Sequence, residues 1–517
     1  MNGAQVLVKT LLAGGVDTCF ANPGTSEMHF VAALDKIDGM RCVLGLFEGV
    51  VTGAADGYYR IAQKPAATLL HLGPGLANGL ANLHNAKKAE SGIINIVGNH
   101  AVPHLALDAP LTSDVEGLAR PMSHWVKSCD SAQDVAIVAR KAISLANEKP
   151  AKIATVVLPA DAAWSEVQAM PNNQFDELPV KQNCTAPDTD AAITALKRGP
   201  TTLLLLGKRA TTVDVSCWAG KIAAATGCAV MSEFYGARIE RGIGRVALPR
   251  LPYAVDPSIK ALEPFDTIVL VDAVPPVAFF AYPDKPGRLS RPDCTFVTLA
   301  GASDDAAYIL RDVATTLDAQ NVEPAGIAHK IELTRPEGSL TPEGIGRVVA
   351  AHIPENAIIV DESLTTGRQF DKLTMHAKPH DWLTGMGGSI GFALPVALGA
   401  AIAAPDRPVI ALEGDGSAMY TLQALWSMVR ENLNITVVLF SNRQYKILNG
   451  EFAGVGAGVP GRRATDMLSL DRPDLDWAAL SKGMGMPCRT VHTLQQLSAA
   501  LREALHSEGP GLVEVVM

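Results

Sequence analysis

The residues best equipped for chemistry lie in one stretch. Gly414-Asp415-Gly416-Ser417 follows the short apolar run Val409 to Leu412, and a second apolar run, Ile435 to Phe440, leads to Asn442 and Gln444, 27 and 29 residues after Asp415. Glycines around an aspartate, between a strand and a helix, let the backbone approach a phosphate that the helix N-terminus favours. The carboxylate would repel that phosphate unless a cation lay between them. Asp415, the Asn442 side-chain oxygen and the Gln444 backbone carbonyl are three hard oxygens, a set that suits Mg2+ completed by diphosphate oxygens and water. Gly-Asp-Gly is also an ordinary turn; the asparagine closing the next strand is what adds to it.

Two titratable groups sit at comparable places nearer the N-terminus. Glu48 follows the run Cys42 to Leu46 and opens the small-residue segment Val51 to Arg60, and His71 follows Ala67 to Leu70 and precedes a glycine-rich segment. An open α/β sheet turns the carboxyl ends of its strands toward ligands. On position alone, Glu48 also reads as a helix-start glutamate stabilised by the dipole, and His71 as a structural histidine. As reactive groups, they could give and take protons near neutrality.

The elements that must position these groups alternate in the same way. Val409 to Asn449 reads strand, turn, helix (Tyr420 to Arg430 at helical spacing), strand, turn: a parallel βαβ unit. Before Trp164, short apolar strands are expected at Thr18 to Phe20, Cys42 to Leu46, Ala67 to Leu70, Ile93 to Val97 and Ala154 to Leu158. The middle of the chain adds Thr202 to Leu206, Ala229 to Ser232, Thr267 to Val271 and Thr295 to Leu299. The fold class is α/β, with doubly wound parallel sheets.

With 517 residues, 48% of them hydrophobic, the chain can bury several cores and is expected to form about three domains. A net charge of −9 without a basic cluster argues against nucleic acid, and the lack of an apolar run near 18 residues argues against a membrane span. Val6 to Leu12 fits an amphipathic first helix better than a signal peptide, which makes the cytoplasm the expected location. Eight cysteines show no CxxC and no metal-ligand spacing, so most read as small buried apolar residues. No GxGxxG opens the first strand-to-helix turn, which disfavours a Rossmann dehydrogenase.

The pair GDGS and SNRQY resembles the diphosphate-and-magnesium motif of the thiamine-diphosphate enzymes, with Ser441 in place of the first of two asparagines. ANPGTSE, LFEGVVTGAADGYYR, LLHLGPGLANGLANLHNA, PLTSDVEGLARPMSHW and GGSIGFALPVALGAA extend the resemblance over nearly the whole chain, toward the benzoylformate decarboxylase and acetolactate synthase branches. It implies three domains: a pyrimidine-binding domain over 1–170, a central domain over 185–325 and a diphosphate-binding domain over 338–517, with linkers at Pro171 to Asp190 and Glu332 to Pro342. It implies thiamine diphosphate and Mg2+ as cofactors, and FAD is not expected. Since the cofactor of such enzymes sits between the first domain of one subunit and the last of another, it implies a homodimer at least and a homotetramer by analogy.

The same resemblance assigns roles. Glu48 would hydrogen-bond the aminopyrimidine ring, the Gly388 carbonyl would meet that ring, and Ile390 would prop the cofactor into its bent shape. Thr365, Ser417 and Tyr445 match diphosphate contacts, and Asn22, Asn78, Gly414, Gly416 and Tyr420 complete the cofactor-binding set, with Asp415, Asn442 and Gln444 on the metal. His71 matches an acid/base histidine and Thr25 a residue that touches the substrate carboxylate. A second acid/base histidine has no counterpart; Phe279 or Phe280 stands where it is expected. Either His100 or His104 replaces it, or the intermediate left by CO2 loss is captured by a second carbonyl. The expected reaction is therefore non-oxidative decarboxylation of a small 2-oxo acid, with acetolactate-synthase-type carboligation as the alternative. Lys446 to Phe452 would line the pocket, where Asn449 and Glu451 favour a polar acceptor.

Overall fold

The computed structural model describes residues 1–168, 188–333 and 335–517. The linker expected at Pro171 to Asp190 falls almost wholly outside them. Three sheets organise the chain. The first holds β1 (Thr18–Asn22), β2 (Arg41–Leu44), β3 (Ala66–Leu70), β4 (Ile93–Asn99), β5 (Trp125–Ser128) and β6 (Ile153–Pro159), all parallel, in the order β2-β1-β3-β4-β6-β5. The second holds β7 (Thr202–Leu206), β8 (Ala229–Ser232), β10 (Thr267–Val271) and β11 (Thr295–Ala300), in the order β11-β10-β7-β8. The third runs β16 (Cys488–Val491), β17 (Gly511–Val516), β15 (Ile435–Ser441), β14 (Val409–Gly414), β12 (Ile358–Glu362), β13 (His380–Thr384), β9 (Ile239–Arg241).

Fully buried runs such as Leu203 to Leu206 and Val437 to Phe440 are what a sheet covered on both faces demands. Two strands depart from the expected pattern. β5 is a half-buried edge strand without an apolar run, and its pairing with β6 comes from the tertiary context. β9 lies within the stretch expected to be central, yet it pairs antiparallel with β13, so it closes the third sheet. Tyr420 to Arg430 is not one helix: Asp415–Thr421 and Ala424–Arg430 are separate helices, broken at Leu422-Gln423.

The first and third units share one core. The Ala393–Ala403 helix is apolar all round and buried over Ala393 to Ile402, and it packs on the Glu48–Ala62 helix. Their backbones touch. A Cβ on Gly57 would stand 2.1 Å from the Val396 carbonyl oxygen, and one on Gly399 would stand 1.8 Å from that of Ala54. Beside this contact, buried Arg60 donates to Asp56 at 2.9 and 2.6 Å and to the Thr384 carbonyl at 2.7 Å, so all of its sides are satisfied. The seven described cysteines are free thiols, four of them buried; Cys42 is exposed. No helix of the described residues is long and apolar enough to cross a membrane.

Candidate active site

Asn22 ends β1 in register with Leu70, the last residue of β3, and the turn that follows carries Thr25 and Glu27. Glu27 is 1% exposed. One of its oxygens accepts from the Gly24 N–H at 2.7 Å and lies 2.8 Å from His71 Nδ1, while the other accepts from Ser26 Oγ at 2.9 Å. An ionised carboxylate can only accept, so His71 Nδ1 carries the proton. Nε2 is left as the atom free to exchange one, the arrangement that orients catalytic imidazoles.

Glu48 opens its helix 7% exposed, and its Oε2 accepts from Asn78 Nδ2 at 2.9 Å. Gly75 lies between Glu48 and His71. A Cβ there would meet Glu48 Oε1 at 2.9 Å and His71 Cβ at 3.3 Å. The structure thus gathers Asn22, Thr25, Glu48, His71 and Asn78 at one sheet edge. Leu72, the residue after His71, is held at φ 51, a conformation costly for a branched side chain. Leu364 (φ 47) and Arg443 (φ 57) repeat this at the ends of β12 and β15.

Those strands carry the second cluster. Asp415 is 2% exposed and accepts from the Gly416 N–H at 2.9 Å and the Arg443 N–H at 2.6 Å. No Lys, Arg or His pairs with it among the described residues. Burial pushes its carboxyl up to about 6. Asn442 Oδ1 faces the Gln444 N–H at 3.0 Å, and the Tyr445 ring covers Gly416, whose Cβ would come within 2.6 Å of it. Burial, then the neighbouring Tyr420, holds the Tyr445 phenol above its ordinary range. Thr365 lies in the turn after β12, beside Leu364.

The Ser417 hydroxyl donates to Glu413 at 2.6 Å and lies 3.2 Å from the Gly414 carbonyl oxygen. Glu413 neighbours Glu362 across β14 and β12. Burial raises both carboxyls, and Glu362 raises Glu413 further, whereas Glu362 accepts from three consecutive N–H groups, of Gly391, Phe392 and Ala393, at 2.7, 2.9 and 2.8 Å.

No group of three His, Cys, Asp or Glu among the described residues could hold a metal. Asp415, Asn442 and Gln444 bring one carboxylate and neutral oxygens, a set that phosphate oxygens must complete, and the buried charge of Asp415 without a counter-ion fits a divalent cation.

Gly388 (φ 73) and Ile390 line a cavity of about 310 Å3 with Tyr235, Tyr253, Arg368 and Ile447. The Phe279 ring stands against Gly388, 2.6 Å from where a Cβ would be, and packs edge-on against Tyr235 and tilted against Tyr253, with Phe280 edge-on beside it. In the same segment, Tyr282 donates to Glu451 at 2.8 Å, tying the Lys446–Gly454 helix to the cavity wall, while Asn449 donates to the Gln444 side chain at 3.0 Å. His100 follows β4 with its ring 5.3 Å from that of His104 and its Nε2 buried without a partner among the described residues. β4 also approaches the dyad, because Gly98 abuts Glu27. No hydrogen bond or ion pair among the described residues joins Glu48 to Asp415.

Two family models match. One is the thiamine pyrophosphate enzyme N-terminal TPP binding domain, over residues 1–123, and the other the C-terminal TPP binding domain, over residues 366–515. The chain belongs to the thiamine pyrophosphate enzymes. As a member of that family, it is 46% identical over 521 residues to the "Putative acetolactate synthase large subunit IlvX" of Mycobacterium tuberculosis, across 100% of this chain and 99% of the relative. It is 30% identical over 532 residues to the benzoylformate decarboxylase of Pseudomonas aeruginosa, across 97% and 96%. The solved 4-hydroxybenzoylformate decarboxylase of Rhodococcus jostii RHA1 superposes with a TM-score of 0.86 at 25% identity, covering 100% of this chain and 99% of that one.

Sequence reasoning passes over Glu27 in this thiamine pyrophosphate enzyme. The available signal is ANPGTSE itself, where a glutamate three residues after a turn glycine reaches back to that glycine's N–H. Glu362, Asn82 and Asn85 carry no local signal, since their partners lie tens to hundreds of residues away.

Proposed function

We propose that this chain is a Mg2+- and thiamine-diphosphate-dependent enzyme that removes CO2 from a 2-oxo acid without oxidation, in the cytoplasm and without FAD. The observation that carries this reading is the His71–Glu27 dyad set across Gly75 from Glu48, a proton-transfer pair beside a buried carboxylate. Thiamine diphosphate, when bound, supplies a carbanion that adds to a carbonyl and an electron sink for the bond that breaks. The chain's own residues do the rest. Asp415, Asn442 and the Gln444 carbonyl hold Mg2+; the backbone around Gly414, Gly416 and Ser417, with Thr365, Tyr420 and Tyr445, holds the diphosphate. The Gly388 carbonyl and Ile390 orient the pyrimidine end with Asn22 and Asn78, and Glu48 holds the proton exchanged at the ring. Thr25 binds the substrate carboxylate, and His71 Nε2 moves a proton at the carbon that has lost CO2.

By analogy with the thiamine-diphosphate enzymes that the chain resembles, the working site is formed between the first unit of one chain and the third unit of its partner, and the lack of a direct bond between Glu48 and Asp415 is compatible with that arrangement. A homodimer is the minimum, and a homotetramer the expected assembly.

A second reading has an observation of its own. Phe279 sets an apolar ring against Gly388 where a second acid/base histidine is expected, which favours capture by a second carbonyl, an acetolactate-synthase-type carboligation. Product analysis by NMR separates the two, using Mg2+, thiamine diphosphate and a panel of aliphatic and aromatic 2-oxo acids, with and without an added aldehyde, beside Glu48→Gln. Free aldehyde supports the decarboxylase; 2-hydroxy ketone alone supports the carboligase.

A further inference from the structure

The Leu72–Lys88 helix carries different contacts at its two ends. Its first half places Gly75 and Asn78 beside Glu48. Its second half crosses to the third unit: His84 Nε2 lies 3.1 Å from the Gly387 carbonyl oxygen, and Asn85 makes two bonds to one residue, donating to the Ser389 carbonyl at 2.8 Å and accepting from the Ser389 N–H at 3.1 Å. Between the halves, Asn82 donates to the Gly49 carbonyl at 2.8 Å and approaches that of Gly391 at 3.4 Å.

Asn85 is fully buried, and its amide closes both polar groups of Ser389 as a neighbouring strand would. Ser389 stands between Gly388 and Ile390. The segment has little conformational preference of its own, since Gly388 and Gly391 both hold positive φ, at 73° and 86°. Its shape is therefore imposed from outside, by Asn85 on one side and by Glu362 on the N–H groups of Gly391 to Ala393 on the other.

We propose that Asn85 is a positioning residue for the Gly387 to Gly391 loop of its own chain, so that each Leu72–Lys88 helix serves two active sites. Through Asn78, which donates to Glu48, it serves the site completed on the partner's third unit; through Asn85, it serves the site on its own third unit. The proposal rests on the shared-site reading above.

The test uses heteromers of two differently tagged chains, one with Glu48→Gln and one with Asp415→Ala, purified through both tags. Each mixed dimer within them has one intact site, which pairs the third unit of the Glu48→Gln chain with Glu48 of the other. Asn85→Ala is then added to either chain, and the affinity for thiamine diphosphate with Mg2+ (by calorimetry) and turnover of the best 2-oxo acid are both measured. In the Glu48→Gln chain, it will weaken cofactor binding and lower turnover at least tenfold; in the Asp415→Ala chain, it will change either by less than twofold. Asn85→Asp keeps the acceptor for the Ser389 N–H but sets a second oxygen against the Ser389 carbonyl, so it will give a loss at least as large in the same chain only, and it stands in if Asn85→Ala fails to assemble. Equal effects in both chains, or none, overturn the proposal. If the heteromers without an Asn85 change recover no activity, the shared site itself is wrong, and the proposal falls with it.

Discussion

Replacing Glu27 by Gln changes one charge and almost no shape. The amide oxygen can still accept from the Gly24 N–H and His71 Nδ1, which now lie 2.7 and 2.8 Å from one carboxylate oxygen, and Ser26 Oγ can turn to accept from the new NH2. What disappears is the charge assistance that the imidazole receives when it takes up a second proton. A hydrogen bond to a charged group contributes about 1.5–3 kcal/mol and a neutral one about 1 kcal/mol, so the loss is about 0.5–2 kcal/mol of transition-state stabilisation. That corresponds to a fall of about 2- to 30-fold in kcat/KM. The assay is steady-state turnover of the best 2-oxo acid for wild type, Glu27→Gln, His71→Ala and the double variant, with thermal unfolding as the control for folding. If Glu27 acts through His71, the double variant is no slower than His71→Ala alone. Losses that multiply in the double variant would refute the dyad and leave Glu27 as the cap of its turn.

Other consequences follow from the same geometry. Asp415 must ionise to hold Mg2+, and its carboxyl is raised to about 6 by burial, so cofactor affinity with Mg2+ should fall about tenfold per pH unit below about 6, read by calorimetry from pH 5 to 8. The sign for stability without metal is the opposite. The native state holds this proton more tightly than the unfolded chain, so this group's contribution to stability declines as pH rises from about 4 toward 6, and Mg2+ with thiamine diphosphate should raise the melting temperature most above that range. Gly399→Ala drives a Cβ into the Ala54 carbonyl and should cost about 1–3 kcal/mol or more in urea unfolding, whereas Gly483→Ala, with open space at the end of its helix, should be neutral or stabilising by up to about 1 kcal/mol. His100→Ala should lower free-aldehyde formation relative to substrate consumption if His100 is the second proton donor; an unchanged product ratio by NMR removes it from that role.

Much of this site is legible in the sequence because its parts sit where strands end. Ala67 to Leu70 and Ile435 to Phe440 are locally apolar and β-rich, so the turns after them could be located, and with them His71 and Asn442. What was not legible depends on distance along the chain. Asn85 reads as one more polar residue on a helix, and its bond to Ser389 spans 304 positions. β9 is three residues long and owes its place to pairing with β13. The split of the Tyr420 to Arg430 helix escapes periodicity because Leu422 and Leu425 keep helical spacing across the break. Ser417 illustrates a subtler limit: its position in GDGS is visible, but the direction of its hydroxyl is set by Glu413, whose burial only the folded sheet reveals.

The central claim is that Glu48 activates a cofactor anchored by Asp415. It is tested most directly by following hydrogen–deuterium exchange at thiazolium C2 of the bound cofactor, by quenched-flow NMR, in wild type and Glu48→Gln at equal cofactor occupancy. Exchange should be at least about 100-fold slower in Glu48→Gln, the scale of a lost general acid–base group, with binding nearly unchanged. Exchange at the wild-type rate would contradict the claim, and would leave Glu48 as a buried helix-start carboxylate held by Asn78.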